Sequence, residues 1–365
     1  MSCDGGAAAT PPSDVEAVIE AARAVAWASP QRLLAFARWF VALPPNLRLQ
    51  ASTLRAASAD ASFRRYLRIS TEGRSLIVMD APPPQEDVRP FVHVAGLLRA
   101  AGLHVPAVIA ADVENGFLLL EDLGDRLYLA ELQAAGPDDR QRWMRDAIEA
   151  LVTMQCRADA SSLPSFDEAL LTRELDLFPQ WCVQREFGLD WDDRQQQHWQ
   201  ALCRALVQEA LAQPRVFVHR DWMPRNLMLA EPNPGILDFQ DAVAGPVTYD
   251  IACLLRDAFV SWDEAQEIDW AVRWWDLARR SGLPVAADFG DCWRQIEWIG
   301  MQRHLKVAGI FCRLKHRDGK PGYARDLPRF FDYLTKVALR YPPLQRLLPL
   351  LQPLTGRAVG SGLTF

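Results

Sequence analysis

No two cysteines in this chain are close enough to form a C-x-x-C pair. The seven Cys, at positions 3, 156, 182, 203, 253, 292 and 312, never fall into a C-x-x-C pattern, which argues against a zinc module and against a disulfide framework. They read instead as small apolar residues of a reducing compartment. Long apolar runs are missing too: none approaches the roughly 18 to 20 residues that a membrane span needs. The opening MSCDGGAAATPPSD lacks a basic segment followed by an apolar one, so no secretory signal is expected. Nor is there a basic domain, since 40 Lys and Arg against 46 Asp and Glu leave a net charge of -6. That balance argues against nucleic acid as a partner. The expectation is a cytoplasmic, monomeric chain with no membrane association.

What is present is enough for two lobes. The chain has 365 residues, and its 13 Trp and 16 Phe can fill a large core. Residues 1–28, rich in Ala with an early Pro pair, read as a weakly ordered or partly helical tail. Pro30 to Leu43 places Leu33, Leu34, Phe36, Phe40 and Val41 near one face, with Pro30 suited to a first turn, so a helix is expected. SFRRYLRI and SLIVMD flank the turn TEGR and predict a hairpin. A helix fits Val88 to Ala101, and VPAVIAAD and GFLLLEDLGD read as two further strands. Beyond Gly124 the period becomes helical, as in Trp143, Met144, Ala147, Ile148, Leu151 and Val152. Long helices are predicted over Tyr249–Phe259, Asp263–Arg280, Ala287–Leu314 and Leu327–Arg340. The fold class is therefore α+β and bilobal. A small sheet-containing lobe spans 29–122, and a larger, mainly helical lobe spans 123–365.

One stretch breaks the helical pattern. VFVHRDWMPRNLMLAEPNPGILDFQD, from Val216 to Asp241, sets polar groups between three short apolar runs. The segments NLML and GILD make a second pair of strands, turned by EPNPG. Asp221, Asn226 and Asp238 are thereby carried from strand ends to one loop edge. Any one of them alone would read as a turn or cap residue. The combined spacing, H-x-D-x₄-N, then a hairpin, then an Asp closing an apolar strand, is much more specific.

The H-R-D-x-x-x-x-N run resembles the catalytic loop of protein kinases. Phosphoryl transfer asks for a carboxylate to take the acceptor proton and for oxygen ligands to Mg²⁺. By that resemblance Asp221 would be the base, while Asn226 and Asp238 would hold the metal. His219 and Arg220 read as groups that hold the loop.

More widely, the chain resembles the aminoglycoside-phosphotransferase and choline-kinase superfamily, a branch of the protein-kinase-like fold. HRDWMPRN is similar to its catalytic loop and LDFQD to its metal-binding motif. GPVTYDIACLLRD is similar to the following helix, where Asp250 would brace the loop. Within the superfamily, DASFRRYLR, VMDAPP, LLLEDLGD, DFQDAVAGPVTYD and MQRHLKVAGIFCRLKHRDGKPGY resemble the bacterial anomeric sugar kinases of cell-wall recycling. The resemblance implies ATP as cofactor and N-acetylmuramate and N-acetylglucosamine as acceptors, phosphorylated at the C1 hydroxyl. Residues alone reach only a small-molecule phosphotransferase.

The chain departs from the kinase pattern in the small lobe. The loop Ala59 to Phe63 has no Gly, so phosphate contact would fall to its backbone N–H groups and the Ser62 hydroxyl. The Lys usual on the third strand, near Met79, is missing, and Arg64, Arg65 or Arg68 would supply the cation, with Arg65 taken as the candidate. FLLLEDLG resembles the hinge whose backbone, from Glu121 to Leu123, would read adenine.

Residues 301–325 reverse the local charge. Arg303, Lys306, Arg313, Lys315, Arg317, Lys320 and Arg325 face one acid, Asp318. Arg303, Lys306, Ile310, Arg313 and Arg317 step by three or four along one helical stripe. Such a stripe suits an anionic acceptor, and N-acetylmuramate carries a carboxylate that Arg binds well. Arg303, His304 and Arg313 are therefore candidate acceptor contacts, as are Trp222 and Arg225 in the catalytic loop. Alternatives are another hydroxyl acceptor (an aminoglycoside, choline or homoserine) or a non-catalytic nucleotide-binding regulator.

Overall fold

The computed structural model describes residues 12–59 and 63–356. By internal contacts the chain falls into two units, residues 1–96 with 105–124, and residues 97–104 with 125–365.

The first unit holds helices α1 (Pro12–Ala22) and α2 (Pro30–Ala42), strands β1 (Gln50–Ala59), β2 (Arg65–Thr71) and β3 (Arg74–Asp80), and most of α3 (Arg89–Ala100). Strands β4 (Val108–Asp112) and β5 (Phe117–Glu121) complete it. The five strands form an antiparallel sheet in the order β1-β2-β3-β5-β4. Alternation sorts its side chains. Leu67, Ile69, Leu76, Val78, Phe117 and Leu119 lie on the face packed against Phe36, Ala37 and Trp39 of α2. The Ser29 side chain caps α2 by accepting from Arg32 N at 3.1 Å. Val18 and Ala22 of α1 are buried in the same core. Residues from Pro12 onward thus join this unit and are not a separate tail, because the stripe Val15, Val18, Ile19 and Ala22 has a core to meet. Residues 1–11 lie outside the described residues.

The second unit begins with α4 (Tyr128–Ala134), α5 (Pro137–Arg157) and α6 (Glu168–Leu175). A π-helical stretch (Phe178–Glu186) and α7 (Asp193–Ala212) follow. Short strands β6 (Arg215–Val218), β7 (Leu227–Met228), β8 (Gly235–Ile236) and β9 (Val243–Pro246) interrupt the helices. The chain continues through α8 (Tyr249–Leu255), α9 (Glu264–Arg280), α10 (Phe289–His316), α11 (Leu327–Arg340) and α12 (Leu348–Thr355). Helix α7 starts with a capping box, Asp192 accepting from Gln195 N at 2.8 Å and Gln195 accepting from Asp192 N at 3.0 Å. Helix α10, 28 residues long, packs against α7, α8, α11 and the π-helical stretch. Gly309 makes the last contact possible: a Cβ there would meet the Leu177 carbonyl carbon at 2.5 Å.

The expected helix from Tyr249 to Phe259 ends early, at Leu255. Arg256 leaves helical geometry, and its guanidinium inserts between two buried carboxylates. Its Nε donates to Glu267 at 3.1 Å and its Nη2 to Glu297 at 2.8 Å.

Candidate active site

Strand β6 pairs with β9, Val218 opposite Val243, and hands the chain to His219, Arg220 and Asp221. The loop is pinned from below. Asp250, in the first turn of α8 and wholly buried, accepts from His219 N at 2.7 Å and from Arg220 N at 3.0 Å. Burial pushes its carboxyl up to about 7, against the pull of those two N–H groups. Arg220 is held at φ 76°, a left-handed conformation that is strained for a side chain of this kind. The His219 ring links two loops: Nε2 donates to Leu237 O at 3.0 Å, and Nδ1 accepts from Asp221 N at 3.3 Å. One ring nitrogen must be bare for this, and burial supplies the reason, lowering the imidazole to about 4.

The β7–β8 hairpin, with Leu227 opposite Ile236, returns the chain beside Asn226. Leu237 N donates to Asn226 O at 2.9 Å. Asp238 then takes φ 61°, the left-handed region again. Asn226 Nδ2 donates to Asp221 O at 3.0 Å and lies 3.5 Å from Asp238 Oδ2. Gln240 Nε2 donates to Asp238 Oδ1 at 2.9 Å. Asp221, Asn226 and Asp238 are therefore together at one place. The donor set fits a hard divalent cation: Asp238 offers carboxylate oxygens, and Asn226 Oδ1 accepts no bond from the described residues. Among those residues no group of three or more His, Cys, Asp or Glu is arranged to hold a metal. A magnesium ion that also uses phosphate oxygens needs no such group.

Asp221 sits half-buried among cations. Burial alone would raise its carboxyl, but Lys306, Arg303 and Arg220 outweigh that and hold it below its ordinary value. Two of those cations are gathered by a residue the sequence reading misses, Glu174 of α6. Its carboxylate pairs with Arg220 and with Lys306 Nζ at 3.2 Å, and accepts from Gln302 Nε2 at 3.0 Å. The signal was a Glu inside an apolar stripe: Leu171, Glu174 and Leu175 share one buried face.

The remaining candidates separate by exposure. Arg225 is half-buried, its guanidinium 5.0 Å above the Phe259 ring and 5.8 Å from that of Tyr323, with Nη1 donating to Tyr323 Oη at 3.3 Å. Arg313 is half-buried near the end of α10, its Nε without a hydrogen-bond partner among the described residues. Neither pairs with a carboxylate among the described residues. Trp222, expected to face a sugar, is wholly buried with its edge against His219 at 5.6 Å. It offers no face to a ligand. Arg303 is 1 % exposed, donating to Arg256 O at 3.3 Å and approaching Met223 Sδ at 3.6 Å. His304 stacks on Tyr333 at 4.7 Å and bonds Arg256 O at 3.0 Å. Both line the interior beneath the loop, not a surface open to an acceptor.

In the first unit, Ser62 lies outside the described residues. Arg65 shares the face of Leu67 and Ile69, against the helices, where it pairs with Asp80; Arg32 Nη2 meets the same carboxylate at 2.7 Å. It does not lie on the Tyr66 and Met79 face, because strand parity puts neighbours on opposite sides. Arg64 pairs with Glu86 at 3.4 Å, and Arg68 with Asp122 at 2.6 Å. Glu121 N donates to Ala107 O at 2.9 Å, and Glu121 Oε2 accepts from Ala107 N at 3.2 Å. Leu123 is half-buried in the segment between β5 and Gly124.

Comparison with known proteins adds what geometry alone cannot. The phosphotransferase enzyme family, APH, matches residues 53–289. The chain belongs to this family. The phosphotransferase is 54% identical over 298 residues to a protein of Pseudomonas aeruginosa described as N-acetylmuramate/N-acetylglucosamine kinase, covering 82% of this chain and 87% of that one. A protein of Neisseria meningitidis with the same description is 43% identical over 338 residues, covering 92% of this chain and 100% of that one. Among solved structures, an ADP-bound aminoglycoside phosphotransferase superposes with a TM-score of 0.56 at 13% identity, covering 80% of this chain and 96% of that one. At that identity the likeness speaks for the fold. The phosphotransferase therefore has the bilobal α+β fold, and it is a kinase enzyme.

Proposed function

We propose that this phosphotransferase moves the γ-phosphoryl group of ATP to the anomeric hydroxyl of N-acetylmuramate and N-acetylglucosamine, a step of peptidoglycan recycling. The observation that carries the reading is the Asp221 carboxylate, which accepts no hydrogen bond and joins no ion pair among the described residues while Asn226 and Asp238 lie beside its loop. A base in that state can accept the proton of an incoming hydroxyl. The acceptor oxygen then bonds to the γ-phosphorus as the bond to the β,γ-bridging oxygen breaks, and ADP leaves. Asn226 and Asp238 would hold Mg²⁺, which when bound neutralises charge on the phosphate oxygens. Asp250 and His219 keep the loop in shape, since they bond its backbone.

The acceptor follows from charge and from relatives. Arg225 and Arg313 pair with no carboxylate among the described residues, which suits an acid-bearing sugar and opposes polycationic aminoglycosides and choline. Both relatives compared above are described as kinases of these two sugars. A supply of ATP puts the work in the cytoplasm, and a single chain carries every residue the reading uses.

The test is a panel of acceptors with ATP and Mg²⁺, followed by ADP release. N-acetylmuramate and N-acetylglucosamine are expected to turn over, with aminoglycosides, choline and homoserine at background. Turnover of a cationic acceptor with neither sugar used would overturn the reading.

A further inference from the structure

Asp221 keeps its carboxylate unbonded in a place crowded by cations. Among the described residues it accepts no hydrogen bond and joins no ion pair, yet Lys306, Arg303 and Arg220 are near enough to depress it. An ammonium and a carboxylate close together in a partly dry interior ordinarily pair. Such a pair would occupy the lone pairs that a general base needs.

Glu174 stands against that outcome. It is 4% exposed and takes Lys306 Nζ at 3.2 Å, Arg220 Nη2, and Gln302 Nε2 at 3.0 Å. Lys306 Nζ has a further partner on the same side, Tyr249 Oη at 3.4 Å. Arg220 is fixed more firmly, with Nη1 on Asp241 O at 3.4 Å, the guanidinium 5.7 Å over the Phe166 ring, and Cys253 Sγ donating to its carbonyl at 3.4 Å. Arg303, the third cation, is turned to the Arg256 carbonyl. Lys306, on a flexible stem, is the one able to swing.

We propose that Glu174 is a positioning residue, a competing anion that draws Lys306 and Arg220 away from Asp221 and leaves the base open to the acceptor hydroxyl. The proposal rests on Asp221 being that base. It separates Glu174 from an ordinary buried salt-bridge partner, because its role is to keep a different carboxylate unpaired.

A charge-swap series with N-acetylmuramate and Mg·ATP tests it. Glu174→Gln keeps the shape and removes the charge, so Lys306 is released onto Asp221. The expected result is a kcat roughly 100-fold lower, with KM for Mg·ATP changed by no more than about twofold. Adding Lys306→Met removes the intruding cation and is expected to restore at least about tenfold of the lost kcat. A merely structural Glu174 gives no recovery, since a second buried deletion only loosens the site further. A double variant as slow as Glu174→Gln, or slower, overturns the proposal. Should Glu174→Gln fail to melt cooperatively, the double variant, with one buried cation fewer, is compared with Lys306→Met alone. A kcat within about tenfold supports the proposal, and a gap of about 100-fold overturns it. Asp221→Asn, assayed alongside, tells the two failures apart. Full turnover there removes the base and this proposal with it. An inactive Asp221→Asn with no recovery in the double variant removes only the role of Glu174.

Discussion

Buried histidines in this chain do structural work by staying neutral. His304 is pushed down to about 3 by burial, with Arg303 beside it adding to the shift. In the unfolded chain an imidazole titrates near its ordinary value of about 6.5. Between those values the unfolded state binds the proton and the folded state does not, so His304 costs stability as pH falls from 6.5. The advantage of wild type over His304→Phe in unfolding free energy should therefore shrink by roughly 3 kcal/mol between pH 6.5 and pH 4. Denaturant melts at the two pH values measure it, and an unchanged difference would show that His304 is protonated in place. Arg225 makes a second prediction at this scale. Charge-assisted bonds to a carboxylate contribute about 1.5 to 3 kcal/mol. Arg225→Met should thus raise KM for N-acetylmuramate roughly 10- to 100-fold, and that for N-acetylglucosamine, which lacks the acid, much less. Equal losses on both sugars would remove Arg225 from the carboxylate site. Single residues were legible in the sequence only where spacing spoke for them. Asp221, Asn226 and Asp238 stood out by their offsets. The burial of Trp222, Arg303 and His304 did not, because it depends on which elements pack over them. Nor did Arg65, whose direction is set by strand parity one residue away from the expected one.

Elements carried a clearer signal when they were long and periodic. Helix α2, the β2–β3 hairpin and helices α9, α10 and α11 lie close to where the apolar pattern put them, since each buries one stripe or face. Strand β1 has no such signature. QASTLRAASA is rich in Ala and Ser, and it becomes a strand by pairing with β2, Ala56 opposite Leu67. The π-helical stretch was equally silent, and it packs against α10. That packing gives a prediction. Gly309→Ala would set a Cβ 2.5 Å from the Leu177 carbonyl oxygen, far inside contact distance. The two elements would have to part, at a cost of about 1 to 3 kcal/mol. A thermal melt of the variant reads this directly, and a melting temperature equal to wild type would mean that the contact is looser than its geometry. Since Lys306 lies one turn before Gly309 on α10, the same variant should also lower kcat.

For the whole molecule, fold and chemistry were legible to different depths. The TM-score of 0.56 to an aminoglycoside phosphotransferase at 13% identity shows how little sequence the architecture needs. Patterning suffices where layers must only be apolar inside. The polar interior is more particular. A chain with net charge -6 nevertheless buries Arg256, Arg303 and Lys306 near the loop that carries Asp221. The first of these sits between Glu267 and Glu297, and the charges of the other two lower the Asp221 carboxyl. Buried charges of this kind are costly unless partnered, so their partners, Glu174 among them, are as much part of the site as the loop itself. Sequence spacing could not find them, because they come from α6, α9 and α10 and meet only in three dimensions.

The most direct measurement is the turnover of Asp221→Asn with N-acetylmuramate and N-acetylglucosamine under saturating Mg·ATP, with a thermal melt of the same protein. The account predicts a kcat about 10²- to 10⁴-fold lower on both sugars with the melting temperature retained. A variant that stays folded and turns over either sugar at the wild-type rate would contradict it.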